Sequence, residues 1–327
     1  MLRKNAVNHI LIYRGSFNPP HIGHRALLAH TFFRSSYENT VAAFIVPSSN
    51  DLLEEKMGTT DAGEIPAIVL TRAQRAELWQ DDSIARWAYT YRHKERFGAV
   101  RHEMIRRLEA TGVKVEFVCI AGGEGSFGYA ADEVAKIMKV QPDDLICSNP
   151  MRKVDASKKN GYLKSVKGYE AWKPSPQGDK QLIEKIKNGT YRASYIIELL
   201  YPGDAHKLEH EQSLMAKDKF EQASLERLEA CLKAASTSQV CSTSKGPKEA
   251  KLQYVPAENV PIPYGLPSST RVRTGIRENP GDERLEVIKD IALNAEKLLE
   301  FVDAESNRQE KKKATFTMGG NSAEEEE

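Results

Sequence analysis

Short, continuous apolar runs alternate along the chain with stretches whose apolar residues recur at helical spacing. Apolar runs bounded by turn residues predict buried strands, and the stretches between them predict helices. The predicted strands cover residues 10–13, 41–46, 113–120 and 145–148. The predicted helices cover residues 25–30, 72–79 and 99–111. Because strands that alternate with helices build right-handed βαβ units, the pattern indicates an α/β fold with a parallel sheet.

Turn residues follow three of the predicted strands directly. Gly15, Pro47 and Gly122 each come after an apolar run. In parallel sheets the carboxyl ends of the strands lie at one edge, and ligands bind in the crevice beyond that edge. The sequence therefore predicts a Rossmann-like, doubly wound parallel sheet in which three turns converge on one ligand site.

The rest of the chain is less regular. Residues 51–70 are mixed and contain glycine, which predicts a long active-site loop. Residues 155–250 combine helical stretches with a Ser-, Thr-, Gly- and Lys-rich end at 236–250, which predicts a flexible loop. We interpret the whole stretch as a partly helical insertion into one domain spanning 1–305. Residues 285–302 have the spacing of a final packed helix. The charged residues 306–327 predict a disordered tail.

Composition narrows the classes of protein that remain. With 40% hydrophobic and 28% charged residues among 327, the chain has the composition of an ordinary globular protein. Its formal net charge of +1 gives no electrostatic basis for binding nucleic acid. No apolar stretch predicts a signal peptide or a membrane span. Four cysteines without a CxxC pair favour reduced thiols, so we expect a cytoplasmic or nuclear protein.

The strongest chemical pattern is the turn that follows the first strand. Residues 14–24 read Arg-Gly-Ser-Phe-Asn-Pro-Pro-His-Ile-Gly-His, with His21 and His24 where the next helix begins. A helix start offers unpaired backbone N–H groups and the positive end of the helix dipole, and glycine lets the backbone approach an anion. Imidazoles add donors for charge that develops on phosphoryl oxygens. The segment therefore predicts phosphate binding combined with nucleotide chemistry.

A second hydroxyl-rich helix start lies near the end of the chain, in residues 267–273, Pro-Ser-Ser-Thr-Arg-Val-Arg. The hydroxyls of Ser268, Ser269 and Thr270 can cap a helix and bind phosphate with the same geometry. An arginine after them can make two parallel hydrogen bonds to a phosphate or to departing pyrophosphate. This segment predicts the second half of a nucleotide site.

Together the two segments resemble the signatures of the nucleotidylyltransferase superfamily, a Gly-rich turn with His-x-Gly-His and a later Ser-Ser-Thr-x-Ile-Arg. The wording Ser-Phe-Asn-Pro-Pro is most similar to the nicotinamide mononucleotide (NMN) adenylyltransferases, including divergent fungal relatives. Pro267 stands where that family usually has Ile. The third turn reads Gly122-Gly123-Glu124, where the family usually has Gly-x-Asp. The second departure leaves the identity of the acceptor open.

The resemblance implies that the phosphate of NMN attacks the α-phosphorus of ATP, which gives NAD and pyrophosphate, with Mg²⁺ accompanying ATP. It implies that His21, His24 and Arg273 are catalytic and that Arg271 falls on the variable position of the motif. It also implies nucleotide contacts at Gly15, Ser16, Phe17, Gly23, Gly122, Ser268, Ser269 and Thr270. No metal-ligating pattern accompanies these residues.

The acceptor side is implied by position alone. Lys56, together with Arg72 or Arg75, occupies the place from which the family approaches the acceptor. Trp87 is placed where the family stacks a tryptophan on the nicotinamide ring. A tryptophan at helical spacing can equally be a core residue, so both interpretations stay open at this point.

Two alternative functions also stay open. One is the same chemistry on another phosphorylated acceptor, by an adenylyltransferase or a cytidylyltransferase. The other is a nucleotide-binding or ATP-hydrolysing protein without transfer activity, which the altered third turn would suit. In each case the expected partners are small molecules, and the sequence indicates nothing about oligomeric state.

Overall fold

The computed structural model describes residues 2–60, 68–93, 96–122, 145–148, 163, 165–166, 168–205, 208, 216–243, 250–257 and 267–319. The strands are β1 (Asn8–Gly15), β2 (Thr40–Pro47), β3 (Ala88–Thr90), β4 (Val115–Gly122), β5 (Leu145–Ser148), β6 (Lys173–Pro174), β7 (Gln239–Ser242) and β8 (Lys251–Val255). The helices are α1 (Ile22–Arg34), α2 (Asn50–Thr60), α3 (Arg72–Glu77), α4 (Phe97–Glu109), α5 (Gln177–Lys187), α6 (Ala193–Leu200), α7 (Lys217–Ala234), α8 (Ser269–Glu278), α9 (Glu283–Ile288) and α10 (Ala295–Gly319). None of these helices is long and apolar enough to cross a membrane.

The strands form one sheet in the order β3-β2-β1-β4-β5-β8-β7-β6. All neighbours from β3 to β8 pair in parallel, and β7 and β6 extend the sheet antiparallel at one side. The chain passes from β1 to β2 and β3 on one side and then crosses to β4 and β5 on the other. The topological switch point, where such sheets bind ligands, therefore lies between β1 and β4. This topology confirms the predicted α/β, Rossmann-like, doubly wound sheet.

Strand β1 shows why the parallel strands are continuously apolar. Leu11 and Tyr13 belong to the core that α1 covers, whereas Ile10 and Ile12 belong to the core under α4. Successive side chains of a strand leave opposite faces of the sheet, so a strand covered on both faces is apolar at every position. Helices α1 and α4 thus enclose the sheet from its two sides.

The predicted insertion builds onto the sheet and onto α1. Its helices α5 and α6 pack against α1, and α7 packs against α6. Strand β7 pairs with β8, although it lies inside the stretch 236–250 that the sequence predicts to be a loop. Gly178 on α5 approaches α1 so closely that a Cβ atom there would lie 2.1 Å from the Arg34 carbonyl oxygen. The insertion therefore adds a helical layer and extends the sheet.

Two segments are more helical than their sequence predicts. The sequence predicts a loop over 51–70, but α2 begins at Asn50, and its buried side chains Leu53 and Met57 lie one turn apart. The sequence predicts disorder from residue 306, but α10 continues to Gly319. Glu, Lys, Gln and Ala are strong helix formers, so a charged stretch readily prolongs a helix that tertiary contacts have started.

The final helix predicted over 285–302 is interrupted between α9 and α10. The connecting segment returns to the start of α1. There the Ile22 N–H donates to the Ile291 carbonyl oxygen at 3.0 Å, and the Leu293 N–H donates to the Pro20 carbonyl oxygen at 3.3 Å. The interruption thus lets the end of the chain support the histidine-containing turn, which a continuous helix could not do.

Candidate active site

The turn that leads into the two histidines, residues 15–21, ends at His21 and leaves the sheet at the switch point, and we call it the histidine turn. Phe17 has a left-handed backbone conformation, with φ 49°. Its ring lies over Gly15, where a Cβ atom would come within 2.6 Å of Phe17 Cε1, so only glycine fits there. Because Phe17 is 2% exposed, any phosphate contact from it has to come from its backbone.

His21 and His24 cap the start of α1 for each other. His21 Nδ1 accepts a hydrogen bond from the Gly23 N–H at 3.1 Å, and His24 Nδ1 accepts one from the His21 N–H at 3.2 Å. This reciprocal arrangement satisfies two of the N–H groups that need partners where a helix begins. The N–H of Gly23, a predicted nucleotide contact, is therefore engaged by His21.

These caps determine the tautomers of the two imidazoles. An Nδ1 atom that accepts a hydrogen bond carries no proton, so the ring proton of His21 and that of His24 are assigned to Nε2. The two ring centroids are 3.7 Å apart, with 30° between the ring planes. Two adjacent Nε2–H donors at the positive end of a helix form an arrangement that suits phosphoryl oxygens.

The second hydroxyl-rich segment binds directly to the histidine turn. Helix α8 begins after its cap Ser268, and Ser269 Oγ donates to the Pro19 carbonyl oxygen at 2.8 Å, across 250 positions of sequence. Arg273 Nη1 donates to the Asn18 carbonyl oxygen at 2.7 Å. The two motifs of the sequence therefore meet at the carboxyl edge of the sheet.

The two arginines of α8 have different surroundings. Arg273 is buried, whereas Arg271 is exposed. The Arg271 N–H donates to the capping Ser268 Oγ at 3.1 Å, and Arg273 Nη2 donates to Thr270 Oγ1 at 3.4 Å. The arginine that the motif assigns to catalysis is thus the one held against the histidine turn.

Asn18, which the sequence analysis does not single out, ties the histidine turn to the segment before α3. Its Nδ2 donates to the Ile68 carbonyl oxygen at 2.7 Å, and its Oδ1 accepts from the Leu70 N–H at 3.0 Å. The available signal was its place before a proline in a turn, because asparagine side chains there commonly bind backbone groups. Asn18 therefore holds the turn in place from below the site.

Arg75, which is predicted to contact the acceptor substrate, stabilises the same region. Its guanidinium donates to the carbonyl oxygens of Ser16 at 2.6 Å, Ser48 at 2.8 Å and Leu70 at 3.0 Å. Burial, together with the charge of Arg72, lowers the pKa of Arg75 to about 10, so it stays protonated at neutral pH. These contacts join the loops after β1 and β2 to the start of α3, and contact with an acceptor stays a prediction.

Trp87 directly precedes β3, and its carbonyl oxygen accepts from the Ala43 N–H, four residues before the carboxyl end of β2. Its indole stacks on Phe32 with 4.3 Å between ring centroids, and its Nε1 donates to the Tyr195 hydroxyl oxygen at 2.8 Å. The side chain is buried. These contacts fit the core interpretation left open by the sequence, and stacking on a nicotinamide ring stays a prediction.

The remaining predicted residues lie at or near the carboxyl edge. Gly122 ends β4, and Gly123 and Glu124 lie outside the described residues. Arg72 is half-buried at the start of α3, with its Cζ atom 5.4 Å from the centroid of the Tyr91 ring. Lys56 lies exposed on α2. Tyr91 directly follows β3, and its side chain is buried in the core under α4, where it packs on Phe97.

No protein-family model matches the chain, and no curated protein matches it. Among solved structures, it is similar to a Plasmodium falciparum nicotinic acid mononucleotide adenylyltransferase complexed with APC, at 12% identity and a TM-score of 0.28. The match covers 46% of this chain and 67% of that chain. Because this TM-score is low, the function of the protein has to be inferred from the geometry of its own site.

Proposed function

We propose that this protein is a nucleotidyltransferase that transfers the adenylyl group of ATP to NMN and releases pyrophosphate, with NAD as the product. The observation that supports the proposal is that Arg273 binds the turn that leads to His21 and His24, beyond the carboxyl end of β1 in a doubly wound sheet. Paired imidazoles, two helix starts and an arginine are groups that stabilise phosphates during phosphoryl transfer.

In this mechanism the triphosphate lies between the histidine turn and the start of α8. The Nε2–H groups of His21 and His24 donate to the oxygens on the α-phosphorus while the acceptor phosphate attacks in line. A bond forms between that phosphate and the α-phosphorus as the bond to pyrophosphate breaks. Arg273 holds the departing pyrophosphate, and no covalent intermediate is needed.

Mg²⁺ enters the proposed reaction bound to ATP. Within the described ranges, no three His, Cys, Asp or Glu side chains are grouped so that they could hold a metal ion. The site instead offers imidazole, hydroxyl and guanidinium donors, whereas Mg²⁺ takes oxygen ligands. In the proposed reaction the triphosphate would hold the ion, and these protein groups would contact the phosphate oxygens.

The proposal is tested by incubating the purified protein with ATP, Mg²⁺ and NMN and measuring NAD, pyrophosphate and inorganic phosphate. We expect NAD and pyrophosphate in equal amounts. Pyrophosphate released only with another phosphorylated acceptor, or only with CTP, would keep nucleotidyl transfer and discard NMN or ATP. Inorganic phosphate without any transferred nucleotide would support the ATP-hydrolysing alternative and reject the proposal.

The role of Arg273 is tested against its exposed neighbour. Arg273→Ala should lower kcat/KM for ATP about 30- to 150-fold, because a charge-assisted contact is lost. This factor corresponds to a loss of about 2–3 kcal/mol of transition-state stabilisation. Arg273→Lys should not restore activity, since lysine lacks the planar fork. Arg271→Ala is the matched control and should behave like the wild type. The reverse result, with only Arg271→Ala impaired, would show that the motif assigns the wrong arginine.

A further inference from the structure

Three aromatic rings pack around His24. Trp79 lies two residues beyond α3 and is 1% exposed. Its ring centroid is 5.2 Å from that of Phe17, 6.1 Å from that of Tyr13 and 6.4 Å from that of His24. Phe17 and Tyr13 also lie against His24, with centroids at 5.1 Å and 6.4 Å. We call Tyr13, Phe17 and Trp79 the aromatic box of His24.

The aromatic box limits how the imidazole of His24 can turn. Phe17 meets it edge to face, at 88° between ring planes, and Trp79 lies at 83° to Phe17. Aromatic rings prefer such geometries because their edges are partly positive and their faces partly negative. A half-turn of the imidazole would put a carbon atom where His24 Nδ1 now accepts from the His21 N–H, and it would redirect Nε2.

Trp79 is buried although the hydrogen-bonding capacity of its indole N–H is not satisfied. Its Nε1–H is buried and has no hydrogen-bond partner in the part of the chain that the structure describes. Nearly all buried polar groups in proteins are paired, because an unpaired one loses its hydration without compensation. The other buried tryptophan, Trp87, does have a partner, Tyr195. A leucine or phenylalanine would fill position 79 without an unpaired N–H, which indicates that the large flat ring has a use there.

We propose that Trp79 is a positioning residue for His24. With the other two rings of the aromatic box, it holds the plane of the imidazole so that Nε2–H meets the oxygens on the α-phosphorus. This inference rests on the proposed function, in which His24 acts on phosphate. Loosening the box should lower turnover through the orientation of one ring, and it should affect ATP binding much less, because several other groups share that binding.

Two substitutions separate the contribution of the flat ring from that of its N–H group. Trp79→Phe keeps a flat ring and removes the N–H, whereas Trp79→Met replaces the ring with a smaller and flexible apolar chain. Phe33→Met is the matched control. Phe33 is a buried aromatic residue on the same helix as His24, and its ring packs against Trp87 instead.

Two readouts are taken on each variant. Long-range ¹H–¹⁵N correlation spectra show which ring nitrogen of each histidine carries the proton, with His24→Gln to assign the signal. We expect a single Nε2–H form of His24 in the wild type, in Trp79→Phe and in Phe33→Met, and a mixture of tautomers in Trp79→Met. Steady-state kinetics should show kcat reduced about 10- to 100-fold in Trp79→Met, with a much smaller change in KM for ATP.

Three results would overturn the inference. The first is a single Nε2–H form with wild-type turnover in Trp79→Met, and the second is an equal effect in Phe33→Met. The third, which decides even if Trp79→Met does not fold, is a mixture of the two tautomers of His24 in the wild type, because the intact aromatic box would then not hold the ring. A wild-type protein without transfer activity would reject the proposed function alone, because the spectra would still decide whether the aromatic box orients His24.

Discussion

The two ends of α1 both hold histidine, in contrasting surroundings. At its start, His21 and His24 accept backbone N–H groups on Nδ1 and lie beside the second motif. Near its end, His30 is fully buried, with Nε2 3.0 Å from the Leu200 carbonyl oxygen and Nδ1 3.2 Å from Arg34 Nη1. All three rings are therefore assigned a proton on Nε2. The comparison teaches that the same residue, on one helix and in one tautomer, can belong to the proposed phosphate site or to a packed interface, depending on which segments surround it.

The far end of α1 is where the insertion docks. Arg34 is fully buried, and it donates to Asp179 of α5 at 2.7 Å and to the Pro256 carbonyl oxygen at 2.5 Å. A buried charge is tolerated only with such partners. Phe32 and Phe33 complete this docking end by packing on Trp87. One helix thus carries the proposed chemistry at its start and the insertion at its end.

The largest effect is expected from Trp87, which belongs to the docking end. Trp87→Ala should lower the free energy of unfolding by about 3–5 kcal/mol, because it leaves a cavity beside Phe32. Chemical denaturation measures this loss. Tyr89→Ala, an exposed aromatic residue on the same strand, is the control and should change stability by less than about 0.5 kcal/mol. Unchanged stability with a selective rise in KM for NMN would instead place Trp87 at the acceptor and break the comparison.

A smaller effect separates the histidines at the two ends. His24→Ala should reduce kcat by about 10²–10³-fold, or about 3–4 kcal/mol, as the loss of a preorganised donor does, with a much smaller change in ATP affinity. His30→Ala should lower the melting temperature and keep normal turnover while the protein remains folded. Kinetics and thermal unfolding on both variants check this contrast. Wild-type turnover in His24→Ala would discard the mechanism.

The smallest expected effect is a pH dependence of stability that comes from His30. Burial, and then the charge of Arg34, lowers the pKa of His30 from its ordinary 6.5 to about 3. Between these values the unfolded chain binds a proton that the folded chain does not, so stability falls as the pH drops. The loss between about pH 6 and pH 5 should be about 1 kcal/mol.

Urea unfolding of the wild type and His30→Gln at both pH values measures this contribution. The substitution should remove it, whereas His93→Gln, at an exposed histidine, should leave it in place. An identical pH dependence in the wild type and His30→Gln would show that His30 takes up a proton equally well in the folded protein.

Helix starts with a local chemical signature were predictable from the sequence. Thr71 caps α3 through a capping box with Gln74, and Ser268 caps α8. Such caps join residues three positions apart, so the sequence contains both partners side by side. The interruption between α9 and α10 was not predictable in this way. The interruption depends on backbone contacts with the start of α1, which the apolar spacing of residues 285–302 does not indicate.

Short strands at the sides of the sheet were also missed. Strand β3 has three residues and β6 has two, too few to show a period. Their places are set by neighbouring strands. The same limit applies to Arg75 and Trp87, whose residue types suggest ligand contacts. Only their buried partners, carbonyl oxygens for Arg75 and Phe32 for Trp87, reveal bracing and packing.

By itself, the sequence determined the alternation of strands and helices and the histidine turn, and the resemblance of its second motif pointed to Arg273 rather than Arg271. The alternation and the turn depend on residues a few positions apart, whose spacing decides which face or cap they share. The tertiary structure decided which distant segments meet: Ser269 on Pro19 across 250 positions, and Trp79 beside His24. These contacts depend on how whole helices and strands pack against one another. The spacing of residues within one helix or strand contains no information about that packing.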